Sequence, residues 1–184
     1  IRVKVTPELK VDNCSLLYIN VSGNKSFRLG GSAFAQVMNQ LGNDCPDIEN
    51  SVHLKNCFNV VQDLSRNKIC TAGHDVSDGG LVTCLLEMAF ATNCGLKVNV
   101  KSLGNQAMNV LFAEECGVVI EVRNDKLDYA VNQFRSHGLE AQVLGTAIAA
   151  DFIQIAVDGV VQVEVSELMK LNDCPWHIIN TTFH

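Results

Sequence analysis

No Cys-x-x-Cys pair, no run of Lys or Arg, no Gly-x-Gly-x-x-Gly and no Gly-Lys-Ser/Thr occurs in this sequence. Each gap removes a class of function. Without a basic run, and with a net charge of -6, the chain lacks the clustered cations on which nonspecific nucleic-acid binding depends. The missing glycine motifs exclude the Rossmann dinucleotide fold and the P-loop. No apolar stretch is long enough to span a bilayer and no signal peptide is present, so neither a membrane nor a secreted role is expected, and a cytoplasmic location is.

Cysteine is not scarce, but its pattern is uninformative for cross-linking. The eight cysteines fall at 14, 45, 57, 70, 84, 94, 116 and 174, with no His at zinc-ligand spacing, and several sit inside apolar helical or strand patterns. They read as small buried hydrophobes in a reducing compartment. A length of 184 residues suits one domain, and 47% hydrophobic against 18% charged residues marks a globular chain with a real core. The start, IRVKV, is strand-like and lacks Met, as expected of a piece of something larger.

Strand and helix patterns interleave. Residues 16–21 (LLYINV) read as a strand, and Ser32 caps a helix carrying Phe34, Val37, Met38 and Leu41 that Gly42-Asn43 ends. Residues 52–66 form an amphipathic helix with Leu54, Cys57, Phe58, Val61 and Leu64 as its apolar stripe. KICTAG is a short strand, and GGLVTCLLEMAFATN follows as a helix apolar on nearly every side, expected between layers.

Strands at 96–100, 117–122 and 141–148 alternate with helices near 105–112 and at 125–136. Asp125 and Asp128 start the last helix as a capping box, Leu127, Ala130, Val131 and Phe134 are its buried stripe, and Gly138 stops it. In FIQIAVDGVVQVEV a three-residue loop, 157–159 with Gly159 left-handed, sets Ile155 opposite Val161, Ile153 opposite Val163 and Gln154 opposite Gln162. A two-residue turn would instead put isoleucines opposite polar residues. The order predicts an α+β fold, a mixed β-sheet covered by helices in layers, with residues 1–170 as one domain and 171–184 as a divergent tail.

The chemistry concentrates in GHDVSDGG, residues 73–80. A glycine turn opening a helix favours an anion, yet Asp75 and Asp78 would repel one. A Mg2+ ion held by carboxylate and phosphate oxygens removes that conflict; Ser77 or Asp78 capping the helix is the plainer reading. The EF-hand reading fails because, counting from Asp75, positions six and twelve are Gly80 and Leu86. Gly-x-Ser-x-Gly is absent, so there is no nucleophile elbow. Glu114 and Glu115 read as a solvated pair, Gly30-Gly31-Ser32 as a capped turn, and Trp176 as a packing anchor.

Three stretches carry a resemblance: AGHDVSDGGLVTCLLEMAFATNCGL (72–96), LFAEECGVVIEV (111–122) and FRLGGSAFAQV (27–37). His-Asp-x-Ser-Asp-Gly-Gly resembles the aminoimidazole ribonucleotide synthetase superfamily. The other stretches, in consistent order over roughly residues 15–170, narrow the resemblance to the large single-chain phosphoribosylformylglycinamidine synthases (formylglycinamide ribonucleotide amidotransferases), in the C-terminal domain of the second synthetase half.

The resemblance implies a ligase of purine biosynthesis that converts formylglycinamide ribonucleotide, glutamine and ATP to formylglycinamidine ribonucleotide. It implies that Asp75 binds Mg2+ and Ser77 a phosphate of ATP or ADP, at an auxiliary, structural nucleotide site. It places no catalytic residue in this segment and makes the neighbouring synthetase and glutaminase domains its partners. The alternative is a catalytically silent relative acting as a protein-interaction module. Val76 stands where the large enzymes usually carry Arg, and LNDCPWHIINTTFH departs from the family's continuation.

Overall fold

The computed structural model describes residues 4–23, 25–104, 106–150, 152–156 and 160–164. Its centre is one mixed sheet of seven strands: β1 (Cys14–Asn20), β2 (Cys70–Val76), β3 (Gly95–Asn99), β4 (Gly117–Arg123), β5 (Ala141–Ile148), β6 (Phe152–Ala156) and β7 (Val160–Glu164). The spatial order is β2-β4-β1-β5-β3-β6-β7, and every neighbouring pair is antiparallel except β3 with β6. The helices are α1 (Ala33–Val37), α2 (Ser51–Arg66), α3 (Gly80–Thr92), α4 (Ala107–Phe112) and α5 (Leu127–Ser136).

Alternation along the inner strands builds a core on each face of the sheet. Leu16 and Tyr18 of β1 and Val119 of β4 pack with Leu81, Cys84, Leu85 and Met88 of α3. Leu17 and Ile19 of β1 and Ile120 and Val122 of β4 face the other way, against Cys57, Val60 and Leu64 of α2 and Ala130 and Phe134 of α5. This is the expected α+β fold, with helices layered on a mixed sheet. The hairpin has the expected register, Ile155↔Val161, Ile153↔Val163 and Gln154↔Gln162. Ile153 and Ile155 are buried, so burial selected the pairing. Gly159 and the tail 171–184 lie outside the described residues.

Four local expectations are corrected. In α2 the buried stripe is Cys57, Val60 and Leu64, while Leu54 and Phe58 are 41% and 61% exposed. The helix is turned so that the i, i+3, i+7 set beginning at Cys57 meets the sheet. Helix α1 stops at Val37 because Asn39 takes a left-handed φ of 53°, which leaves Met38 and Leu41 exposed.

Helix α3 is buried along one side only, Val82, Leu86 and Phe90 being partly covered and Glu87 exposed. It packs on the sheet and against α4, with its remaining side partly open. No capping box starts α5: residues 124–126 form a 3-10 turn and the Asp125 carboxylate takes two hydrogen bonds from Arg123, at 3.0 and 2.7 Å. Gly138, at φ 76°, ends the helix as expected.

Candidate nucleotide site

Strand β2 delivers the motif. Asp75 and Val76 are its last pairs with β4, opposite Val118 and Gly117, and residues 77–79 turn the chain into α3. The turn requires glycine twice. Gly79 and Gly80 have φ of 83° and 75°, and a Cβ at Gly80 would stand 2.7 Å from the Phe112 carbonyl carbon and 2.8 Å from the Leu111 oxygen. The glycines therefore seat the start of α3 on the end of α4.

Neither Ser77 nor Asp78 caps the helix. The N-cap is Gly79, which has no side chain to offer. Its N–H donates to Glu114 Oε1 at 2.8 Å, and the same oxygen accepts from Ala33 N–H at 2.8 Å. Gly80 N–H donates to the Ser77 carbonyl at 3.0 Å, closing the turn.

Asp75, Ser77 and Asp78 are left exposed. The Asp75 carboxylate, 76% exposed, has His74 Nδ1 at 3.6 Å, and that ring nitrogen hydrogen-bonds the Asp75 carbonyl at 2.7 Å. On its other side His74 Nε2 is 3.4 Å from Glu87. Among the described residues, the side chains of Ser77 and Asp78 make no hydrogen bond. A cleft of about 650 Å3 runs beside β2, with Asp75, His74 and Arg66 at its polar border and Val61, Val118 and Ile120 in its wall.

The second glycine turn is closed to ligands. Gly30 N–H donates to the Asp44 carbonyl, Gly31 N–H to the Leu41 carbonyl, Ser32 N–H to the Leu29 carbonyl and Ala33 N–H to Glu114. Ser32 Oγ accepts from Ala35 N–H at 3.2 Å, so the capped-turn reading holds.

The two glutamates expected in solvent are structural. Glu115 is fully buried and takes Arg28 Nε at 2.7 Å and Nη2 at 2.9 Å, while its neighbour Glu114 points to the two turns. Burial alone would raise the Glu115 carboxyl. Hydrogen bonds from Arg28 and Ser22 outweigh it and hold the group below the usual carboxylate range. No local signal marks either role, because every partner lies 35 or more residues away in sequence.

Among the described residues no group of three or more His, Cys, Asp and Glu is arranged to hold a metal. A Mg2+ ion does not need such a cage, since one or two carboxylates together with phosphate oxygens and waters suffice. The exposed hard-oxygen donor of Asp75 at the glycine turn fits that mode. It does not fit a protein-enclosed structural metal.

Residues 19–158 match the family AIR synthase related protein, C-terminal domain. The chain is 43% identical over 158 residues to a probable phosphoribosylformylglycinamidine synthase, chloroplastic/mitochondrial, of Arabidopsis thaliana, covering 85% of this chain and 11% of the relative. It is 43% identical over 178 residues to the phosphoribosylformylglycinamidine synthase of Homo sapiens, covering 93% and 13%. The chain thus spans about an eighth of the length of these relatives.

Among solved structures, T. maritima PurL complexed with FGAR superposes with a TM-score of 0.73 at 14% identity, over 89% of this chain and 29% of that one. The same protein complexed with ATP gives 0.69 at 14% identity, over 90% and 27%. The E. coli hydrogenase maturation protein HypE gives 0.57 at 20% identity, over 89% and 52%.

Proposed function

The chain belongs to the AIR synthase related protein family, as its C-terminal domain, and on that footing we propose that it is one domain of a phosphoribosylformylglycinamidine synthase and carries an auxiliary Mg-nucleotide site. The names of the curated relatives and the nucleotide and FGAR complexes of T. maritima PurL support this reading. The observation that carries it is the state of the turn: Asp75 and Ser77 stand exposed, the Asp75 carboxylate near His74 alone and the Ser77 hydroxyl without a hydrogen bond among the described residues, on a backbone that other residues immobilise.

In this reading Asp75 holds Mg2+ and Ser77 contacts a phosphate oxygen of ATP or ADP. A Mg2+ ion held there would supply positive charge that offsets the repulsion between an acidic side chain and a phosphate. The chain's own residues bind and orient: Gly79 and Gly80 permit the turn, and Glu114 fixes it. Groups that transfer phosphate to formylglycinamide ribonucleotide, and those that release ammonia from glutamine, belong to neighbouring synthetase and glutaminase domains, and the whole acts in purine biosynthesis in the cytoplasm. The segment alone has no synthase activity.

The test is Asp75→Asn in the full-length protein, with bound ADP and magnesium counted after purification. Reduced retention with turnover little changed is the expected result. Retention equal to the parent's refutes the site.

A further inference from the structure

Glu114 has a task at this site that reaches beyond binding ligand. Its Oε1 receives N–H groups from Gly79 and Ala33, each at 2.8 Å, so one oxygen joins the N-cap of α3 to the first residue of α1, far apart in sequence. Both flanks of Glu114 are fixed: Ala113 is buried, and Glu115 is held by the Nε and Nη2 of Arg28. The carboxylate is therefore presented from a rigid support. On the other side, Gly79 has no side chain of its own to fix its peptide, and that peptide separates Ser77 and Asp78 from α3.

We propose that Glu114 is a positioning residue for the nucleotide turn, acting through the Gly79 peptide and resting on the nucleotide reading above. With Oε1 in place, the 77–79 backbone holds one conformation before ligand arrives. Without it, the cost of ordering the turn falls on binding and weakens it. The role belongs to an acceptor at a given reach. Gln at 114 keeps an oxygen at that reach without the charge, whereas Asp keeps the charge and withdraws it by one methylene.

The experiment measures Mg-ADP affinity of the full-length protein by hydrogen exchange of the 75–83 segment, for wild type, Glu114→Gln, Glu114→Ala, Glu114→Asp and Asp75→Asn. All are read well below their melting temperatures. Expected are a loss of about tenfold for Ala and Asp, the scale of one or two hydrogen bonds, and Gln within about threefold of wild type. Should Ala not fold, Asp alone carries the comparison with Gln. Wild-type affinity in both Ala and Asp, or a loss in Gln equal to theirs, overturns the proposal while Asp75→Asn still weakens binding. If Asp75→Asn binds as tightly as wild type, the nucleotide reading fails and this inference with it.

Discussion

Arg28 and Glu115 form a doubly hydrogen-bonded ion pair, Nε to Oε1 at 2.7 Å and Nη2 to Oε2 at 2.9 Å, inside the protein. The remaining donors are also used: Arg28 Nη1 reaches Glu49 at 3.2 Å, Nη2 the Asp47 carbonyl at 2.9 Å, and Arg28 N–H the Glu115 carboxylate at 3.1 Å. The pair ties the segment before α1 and the loop before α2 to the connection between α4 and β4. Removing one partner strands a buried charge, so Arg28→Met or Glu115→Ala is expected to cost about 3–5 kcal/mol. Urea unfolding checks this, and the double variant Arg28→Met/Glu115→Leu should recover part of the loss.

The same pair has a pH signature. Glu115 titrates below its unfolded value, so its contribution is fully present above the ordinary carboxylate range and is lost as pH falls through the depressed folded value. Stability measured from pH 6 downward should drop less steeply in Glu115→Gln than in the wild type.

Ser77→Ala separates function from folding. The hydroxyl is exposed and makes no hydrogen bond among the described residues, so unfolding free energy should stay within about 0.5 kcal/mol of wild type. Retention of nucleotide by the full-length protein should fall. A change in stability without a change in retention would make Ser77 structural. Gly80→Ala should instead lower stability, by about 2 kcal/mol or more, because the new Cβ meets the Leu111 and Phe112 backbone at a φ of 75°.

Patterns that depend on near neighbours in sequence were legible, and those that depend on distant partners were not. The β6–β7 register followed from period-two alternation alone, because only one pairing sets Val161 and Val163 opposite the buried Ile155 and Ile153. Helix α2 was found, but its phase was not, since stripes through Leu54 and Phe58 or through Val60 are equally apolar and the sheet decides between them. At the site, the strand, glycine turn and helix around Asp75 and Ser77 were readable. Glu114 and Glu115 were misread as solvated, because a carboxylate's partner 35 or 87 residues away leaves no local trace.

Thiol chemistry gives a separate check on packing. Burial pushes the Cys57 thiol up to about 12 and the Cys70 thiol up to about 11, and Cys84 is also raised by burial. All three should resist iodoacetamide at pH 7.5 in the native protein, while exposed Cys45 reacts. Mass spectrometry of partially alkylated protein reads the order directly. Early modification of Cys57 would show that α2 does not stay on the sheet.

Glu121 should act on stability with the opposite sign to Glu115. It lies fully buried on β4, and its two oxygens accept the Lys10 N–H, both at 2.9 Å, and the Thr71 hydroxyl at 2.6 Å. No lysine or arginine among the described residues forms an ion pair with it. Burial raises its pKa, and the hydrogen bonds from Thr71 and Lys10 offset this only in part. The folded protein therefore binds this proton more tightly than the unfolded chain. Its contribution is greatest below the unfolded value and declines as pH rises through the folded one. In Glu121→Gln that slope should vanish, since the amide does not titrate and can still accept from Lys10 while donating to Thr71. Urea midpoints between pH 4.5 and 7, compared for the two proteins, decide the matter: equal slopes would mean that Glu121 is ionised in the folded protein throughout, its hydrogen bonds outweighing its burial.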